Sequence, residues 1–294
     1  MIQLRRIAVV FGAIAWLAPS SSVAADLKSQ TLRGWEDYIQ TVYARNQAHL
    51  LPGASFLSSD DIPGQTVKLR TGEIVVAPAG PHVPLRVPFG LIHDWTGAAF
   101  IAGGTLRQVL PLVRDYDRYK EFYHPYVIDS KRISMTDLRD EFSLTLLNKS
   151  AVARTALDSE YKSRYTRIDD DRWYSISATT RIQEIADYDT PSQHVLQEGH
   201  GKGLMWRMYS FTRFEERDGG VYIEIEAVAL SRDVPAALQW IIDPIVRRVS
   251  RSSLMTSLRQ TETAVRLHSA SITATSIKDP IYAGTKGHGL ERQN

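Results

Sequence analysis

The sequence predicts an α+β fold in which a curved antiparallel β-sheet wraps around one long C-terminal helix. Residues 204–230 alternate polar and apolar side chains on either side of an Asp-Gly-Gly turn at 218–220, as a β-hairpin does. The segment after Asp233 repeats apolar residues at helical spacing as far as Val265, which predicts a helix. Because this helix directly follows a strand with one apolar face, we expect the helix to cover that face.

The return strand of the hairpin divides its side chains between two faces. One face carries Glu224 and Glu226, and we expect it to be at least partly wet, with cross-strand ion pairs to Arg207 or Arg213. The other face is apolar and is predicted to be the buried side of the sheet; it consists of Val221, Ile223, Ile225, Ala227 and Ala229.

The long helix has a predicted start and a predicted irregularity. Asp233 is a suitable N-cap, and Pro235 fits the first turn, where its missing N–H costs nothing. Pro244 lies inside the apolar pattern, so we expect a kink or a break near Ile242 and Asp243.

The first 25 residues have the order of a secretory signal peptide. Arg5 and Arg6 precede an apolar stretch at 7–18, and small residues follow. This stretch is shorter than the roughly 20 residues that a membrane-spanning helix needs. We therefore expect cleavage near Ala24 or Ala25, which predicts a periplasmic or secreted bacterial protein.

Charge and cysteine content exclude several classes of protein. The chain has 35 Lys and Arg residues against 33 Asp and Glu residues, and residues 1–25 hold two of the arginines and no acid. The mature chain is therefore neutral, and we expect no nucleic-acid partner. The sequence contains no cysteine, which excludes disulfides and thiolate metal ligands.

The segment before residue 90 reads as an extension. Thr31–Leu50 has apolar residues along one side and charges along the other, which predicts an amphipathic helix. Prolines and glycines punctuate the remainder, and within it Gln65–Arg70 and Glu73–Ala77 are predicted to form a short hairpin.

The compact part begins at Gly90. A strand is predicted at Leu91–Ile101, followed by a helical run at 106–124 that Pro111 and the residues at 115–117 divide into two short helices. Alternating segments separated by polar turns then predict further strands, at 126–133, 139–148, 155–167 and 172–185.

This order of elements, with the strand at 93–101, the helix pair at 106–123, the hairpin at 206–230 and the helix after 231–235, resembles the START-related, helix-grip superfamily. That superfamily includes polyketide cyclases, lipid-transfer START domains and pollen-allergen-type carriers. The resemblance is topological and includes no invariant catalytic motif. It implies an apolar tunnel between sheet and helix, which holds a hydrophobic ligand in most members and supports chemistry in a minority.

We therefore divide the chain into four parts. Residues 1–25 are the predicted signal peptide, 26–89 the extension, and 90–268 the START-like helix-grip domain. Residues 269–294 lack apolar periodicity and are rich in Ser, Thr, Gly and Lys, so we predict a disordered tail there.

Candidate catalytic and metal sites do not converge in the sequence. His93 and Asp94 are neighbours in a strand and therefore point to opposite faces. His194 and His200 lie in a predicted loop, which fits a solvated loop better than a metal site. The glycine-rich stretch at 199–203 precedes a strand, so it fits a flexible turn better than a phosphate-binding loop. We predict no catalytic residue, no metal and no cofactor.

The aromatic residues are more numerous than one sheet and its helices need, and about half are expected to be core. The rest, with one methionine and one isoleucine, are the candidates for lining the tunnel. The candidate ligand-binding residues are Trp95, Phe100, Tyr119, Phe122, Tyr123, Trp206, Met208, Trp240 and Ile241.

The leading functional hypothesis is an exported, monomeric carrier or binding protein for a hydrophobic small molecule such as a lipid, with transient membrane contact. One alternative is a cyclase- or hydrolase-type enzyme that uses the same tunnel. Another is an interaction module whose extension and tail bind a partner in the cell envelope.

Overall fold

A computed structural model describes residues 26–149, 154–234 and 239–278 of the chain. The predicted signal peptide lies outside the described residues. The described residues form an α+β fold of the helix-grip type: an antiparallel sheet carries the long C-terminal helix on one face, which we call the inner face. The N-terminal helix packs on the opposite, outer face.

The helices of the described part are α1 (Ser29–Ala48), α2 (Gln65–Arg70), α3 (Leu106–Leu112), α4 (Tyr119–Phe122) and α5 (Gln239–Lys278). The strands there are β1 (Val75–Pro78), β2 (Leu85–Val87), β3 (Gly90–Ala102), β4 (Val127–Met135), β5 (Arg139–Lys149), β6 (Arg154–Arg167), β7 (Arg172–Ala186), β8 (His194–Val195), β9 (Arg207–Arg217) and β10 (Gly220–Arg232).

The strand order is β1-β3-β10-β9-β7-β6-β5-β4, with β2 paired to β3 and β8 paired to β7. The predicted hairpin is β9 and β10, and β10 also pairs with β3 along its whole length, from Gly220 opposite Ala102 to Arg232 opposite Gly90. The hairpin therefore lies in the centre of the sheet, between β3 and β7.

Helix α5 packs on the β3 end of the inner face. Leu254 and Leu258 come so close to Gly97 that a Cβ there would lie 2.8 Å from Leu258 Cδ1. A side chain at this position would push the helix away, so glycine permits the close approach. Leu258 and Val265 join the largest apolar cluster together with residues of β3, α3 and β10.

The outer face of β3, β10 and β9 is dry, contrary to the expectation from the alternation in β10. Trp35 and Val42 of α1 pack over Phe211, Val228 and Leu230. Further along the sheet, residues of the segment 56–69 cover Phe100 and Tyr222.

The ion pair expected to be solvated is therefore buried. Arg213 lies opposite Glu224, and Arg213 Nη1 donates to Glu224 Oε1 at 2.8 Å, with each residue only 3% exposed. The backbone N–H groups of Ser58 and Ser59 also donate to this carboxylate, each at 2.9 Å. The extension supplies the hydrogen bonds that burial of a charged pair requires.

Two segments of the extension differ from the prediction. Gln65–Arg70 is the helix α2 and not a hairpin strand; it follows Gly64, which has a φ of +76°, and it buries only Leu69. A six-residue segment with one buried side chain fits the periodicity of a helix and that of a strand equally well. The hydrophobic pattern therefore could not distinguish the two. The second predicted strand exists as β1, which pairs with β3.

The long helix also differs from the prediction. It continues through Pro244 without a break and extends to Lys278, ten residues into the predicted tail. Pro244 removes only one backbone hydrogen bond, to the carbonyl of residue 240 near the described helix start. Residues 235–238 and 279–294 lie outside the described part, so the N-cap role of Asp233 and the disorder of the final residues stay predictions.

The helical run before β4 is divided as expected. Helix α3 ends at Leu112, just after Pro111, and a 3-10 turn at Tyr116–Arg118 leads into α4. This arrangement places the aromatic residues of α4 over the inner face at the β4–β6 end of the sheet.

Candidate ligand-binding groove

The described residues cover the centre of the inner face only in part. Since α5 packs mainly on β3 and β1, the facing side chains of β10, β9 and β7 are only half-buried. On the outer face the same strands bury Tyr209, Phe211, Val228 and Leu230. We call the open region the inner-face groove; its half-buried floor residues are Ile225, Ala227, Ala229, Met208, Ser210, Thr212, Ser177 and Thr179.

One end of the groove is apolar because α3 and α5 pack there. Phe214 of β9 is 3% exposed and Ile223 of β10 is 5% exposed, and Trp173 of β7 packs against the same cluster. Trp95 of β3 belongs to it as well, and its indole N–H has no acceptor within the described part of the chain.

The other end of the groove is aromatic. The ring of Phe142 stacks on Tyr116 with centroids 4.0 Å apart and on Tyr161 with centroids 4.9 Å apart. Tyr119 and Met208 pack on this group. Stacked aromatic rings add to the stability gained by burial alone, so this end of the groove is a packed aromatic wall.

Between the two apolar ends lies a band of hydroxyl groups. Ser163, Ser177 and Ser210 face one another across β6, β7 and β9, and Ser175 and Thr212 form the next row. Ser163 donates to the hydroxyl oxygen of Ser177 at 2.8 Å. The described structure contains no hydrogen bond to the hydroxyl groups of Ser175, Ser210 or Thr212.

Ionisable side chains on the inner face are hydrogen-bonded to other side chains. Asp140 accepts from Arg114 Nε at 2.9 Å and from the Tyr116 hydroxyl at 2.8 Å. Burial raises the pKa of Tyr165 above its usual range, so this phenol stays neutral at ordinary pH. His93 lies on the inner face and bonds the Ser231 hydroxyl at 2.9 Å. Within the described residues, no group of three metal-binding side chains occurs.

Five of the predicted ligand-binding residues lie on the α5 side of the sheet. Tyr119, Tyr123 and Met208 belong to the aromatic end of the groove, and Trp95 belongs to the opposite end. Phe122 lines a separate surface cleft of about 340 Å³ between α4 and α5. Ligand contact by these residues stays a prediction.

Two predicted residues are corrected by their position. Phe100 packs on Tyr222 under the extension, and Trp206 packs in the cluster beneath α1, so both lie on the outer face. Both side chains are buried there, at 6% and 4% exposure, and neither faces α5. The side chains of Trp240 and Ile241 lie outside the described part of the structure, so their role also stays a prediction.

The sequence reasoning missed the hydroxyl residues of the groove floor. Their signal was the register: Ser210 and Thr212 lie opposite Ala227 and Ile225, which the alternation had already placed on the α5 face. The candidate residues were chosen among large aromatic and apolar side chains, which left out these small polar ones.

The outer face holds a buried cluster of charges around Asp94, which is 1% exposed. Asp94 Oδ2 accepts from Tyr38 Oη at 2.7 Å and from Arg45 Nη2 at 2.9 Å, and Arg45 also bonds Glu226. Burial, and next the neighbouring charge of Glu226, raise the pKa of Asp94 to about 7. As predicted, Asp94 and His93 lie on opposite faces.

Backbone N–H groups of the glycine-rich loop at 199–203 bind a carboxylate of the protein itself. Glu184 at the end of β7 accepts from the backbone N–H groups of Lys202 and Gly203, each at 2.8 Å. A Cβ at Gly201 would lie 2.6 Å from Glu184 Oε2, so glycine is required for this approach. The loop is thus ordered around a carboxylate; neither the flexible turn nor a free phosphate site describes it.

The two histidines of this region have different partners. His200 pairs with Asp26 at 3.6 Å, whereas the ring of His194 bonds the carbonyl of Ser192 at 3.0 Å. They do not form the metal site that their spacing had suggested as an alternative.

No family model matches the chain, and no curated protein matches its sequence. Solved structures with a similar fold include a STAR-related lipid transfer protein from Xanthomonas axonopodis, 15% identical over 65% of this chain and 98% of that chain, with a TM-score of 0.42. Human STARD10 is 9% identical over 68% of this chain and 78% of its own, with a TM-score of 0.43. The di-domain ARO/CYC StfQ from the steffimycin biosynthetic pathway is 14% identical over 61% and 52%, with a TM-score of 0.39.

Proposed function

We propose that this protein binds a largely apolar small molecule, such as a lipid, in the inner-face groove. The observation that carries the proposal is the half-buried floor at the centre of a ten-stranded sheet, where the same central strands are buried on their outer face. Central positions of a sheet that is covered on both faces are normally packed without gaps. A concave apolar site with a few polar groups is the usual form of a small-molecule site.

Binding fits the groove better than catalysis. General acid–base chemistry needs an ionisable group within hydrogen-bond reach of the bound molecule. In the described part of the inner face, Asp140 is engaged by Arg114 and Tyr116, and His93 is engaged by Ser231. The cyclase- or hydrolase-type alternative would have to use one of these groups in its hydrogen-bonded arrangement.

The test is to fill the groove. Ala227 is a half-buried floor residue, so Ala227→Trp should occupy ligand space with little strain. We expect an unchanged melting midpoint and the loss of binding of an apolar fluorescent probe, N-phenyl-1-naphthylamine. The matched control is Thr180→Trp, at an exposed position of β7, which should retain binding.

Two outcomes would contradict the proposal. If Ala227→Trp lost about 1–3 kcal/mol of stability, as overpacking of a solid core does, the groove would not be open. If the unaltered protein failed to bind the probe, or if Ala227→Trp bound it as well as the control did, the groove would not be the binding site.

We also propose export and a transient contact with a membrane. Residues 1–25 support export by their order of basic, apolar and small residues. For membrane contact, the supporting feature is a basic stretch of α5: Arg247, Arg248 and Arg251 are exposed and have no acidic partner among the described residues. Arginines attract anionic lipid headgroups. No helix in the described ranges has the length and apolar character to cross a membrane.

A further inference from the structure

We infer that the ligand of the inner-face groove carries oxygen functions in the middle of an apolar skeleton, and that Ser175, Ser210 and Thr212 recognise them. A plain hydrocarbon chain would not match this floor. The inference rests on the proposed binding function and specifies the class of ligand. Its basis is the position, burial and hydrogen bonding of three hydroxyl groups.

The three hydroxyl groups belong to one continuous patch. Thr212 lies opposite Ser175 between β9 and β7, and Ser210 lies opposite Ser177 in the adjacent row. Side chains that face one another in an antiparallel sheet have Cβ atoms about 4.5–5.5 Å apart. This spacing is close to that of oxygen substituents on neighbouring rings of a fused-ring molecule.

The patch is bounded by apolar surfaces on both sides. Phe214 and Trp173 lie toward one end, and Met208 and Tyr161 lie toward the other. A molecule that fills the groove therefore meets apolar, polar and apolar surface in that order. Polar atoms at the centre of the molecule would be matched, while its ends would be covered by rings and methyl groups.

Ser175 is the least exposed of the three hydroxyl residues. It is only 7% exposed, yet its hydroxyl group makes no hydrogen bond in the described structure. Its neighbour Ser177 accepts a hydrogen bond from Ser163, so a Ser–Ser pair is sterically available in this sheet. The Ser175 oxygen is not among the fully buried polar atoms that lack a partner, so it keeps some accessible surface and can bond water or a ligand oxygen.

The same hydroxyl groups discriminate against a plain hydrocarbon. A long acyl chain over the patch would exclude water from Ser175, Ser210 and Thr212 without replacing its hydrogen bonds. A site built to hydrogen-bond a ligand oxygen rejects the analogue that lacks it far more strongly than an apolar pocket rejects an extra methylene. Selectivity for oxygen-bearing ligands is therefore expected from the floor alone.

The experiment compares two bile salts with the purified protein. Cholate carries three hydroxyl groups on the steroid skeleton, and lithocholate carries one on the same skeleton with the same side chain. We expect cholate to bind at least about tenfold more tightly in displacement of N-phenyl-1-naphthylamine, because one added hydrogen bond changes affinity by about that factor. Equal binding, or tighter binding of lithocholate, would overturn the inference.

The double variant Ser175→Ala/Thr212→Val removes two of the hydroxyl groups with little change of shape. The variant should bind cholate and lithocholate with about equal affinity and should still bind the probe. The control is Ser143→Ala/Thr166→Val, which makes the same changes on the outer face of β5 and β6 and should retain the preference. A preference that survives in the groove variant would overturn the inference even if cholate binds tightly.

Failure of this inference is distinguishable from failure of the proposed function. If laurate displaces the probe and neither bile salt does, the groove binds apolar molecules and the hydroxyl inference is wrong. If no apolar molecule displaces the probe, or the probe does not bind, the proposed function fails and the inference fails with it. The comparison of bile salts on the unaltered chain does not depend on the folding of any variant.

Discussion

Asp94 illustrates how one residue can make the stability of the outer face depend on pH. Its carboxyl group is buried beside Glu226, with Tyr38 and Arg45 as hydrogen-bond donors, and its pKa is raised to about 7 from the usual 3.8. Between these values the folded protein holds a proton that the unfolded chain has released. Stability from this group is therefore greatest below about pH 4 and is lost as the pH rises through 7.

Asp94→Asn removes this titration while the side-chain amide still accepts hydrogen bonds from Tyr38 and Arg45. The free energy of unfolding of the variant, relative to that of the unaltered protein, should rise between pH 5 and pH 8 by on the order of 2 kcal/mol, since each unit of pKa shift corresponds to about 1.4 kcal/mol. Urea unfolding at several pH values measures this difference. A difference that stays constant, or falls with pH, would show that Asp94 is ionised throughout the range.

Single residues also mark where sequence reasoning succeeded and where it could not. The alternation in β3 correctly separated His93 from Asp94, because adjacent strand residues always face opposite ways. The same rule could not show that Trp206 lies on the outer face, because an aromatic side chain can be buried under α1 as well as under α5. Ser175 was missed because a single serine gives no signal in the sequence. Whether it can bind a ligand depends on its burial and on a neighbouring residue in another strand.

At the scale of elements, periodicity predicted the strands and helices better than it predicted their surroundings. The alternation in β10 divided Ile223 from Glu224 correctly but could not say which side was wet. The acidic side is buried because Arg45, Asn46 and Ser59 of the extension reach it, and these residues are far away in sequence. Partners that are distant in the chain leave no trace in a local pattern.

Helix α5 has exposed arginines near its N-terminal end. Arg247 and Arg251 are one helical turn apart and continue the stripe that Leu254 and Leu258 form against the sheet, yet both arginines are exposed. Nothing in the described structure neutralises them. This end of the helix is therefore available to an anionic surface.

Reversing Arg247, Arg248 and Arg251 to Glu should abolish cosedimentation with vesicles that contain phosphatidylglycerol and leave probe binding in the groove intact. Each basic residue near an anionic surface contributes about 1 kcal/mol, so loss of three lowers the partition coefficient by about 100-fold or more. The charge-matched control reverses Lys131, Arg139 and Arg164, which are exposed on β4, β5 and β6. Equal binding by both triple variants would rule out α5 as the membrane-contacting element.

At the scale of the whole molecule, the sheet has two different faces. The outer face of the central strands combines an apolar layer with buried ion pairs under α1, whereas the described residues pack the inner face at both ends and leave its centre half-buried. The order of strands, two short helices, further strands and a long helix was enough to predict the α+β helix-grip architecture. The open centre was not predictable, because it depends on where α5 crosses the sheet and that is set by the contact at Gly97.

The expected start of the mature chain contacts the loop at 199–203. Leu27 N donates to the carbonyl of Gly199 at 3.0 Å, and Asp26 pairs with His200, so the residues just after the expected cleavage site are held against the loop at 199–203. Cleavage after Ala24 or Ala25 removes the apolar segment and retains both contacts. In a bacterial host, the protein recovered from the periplasm should therefore have the mass of a chain that begins at Ala25 or Asp26.

The control variant is Val10→Asp with Ile14→Asp, which interrupts the apolar stretch. It should leave the full chain, with Met1 or its processed form, in the cytoplasm. Recovery of the unaltered chain from the cytoplasm with residues 1–25 intact would contradict export, because the signal-like order would then have no consequence.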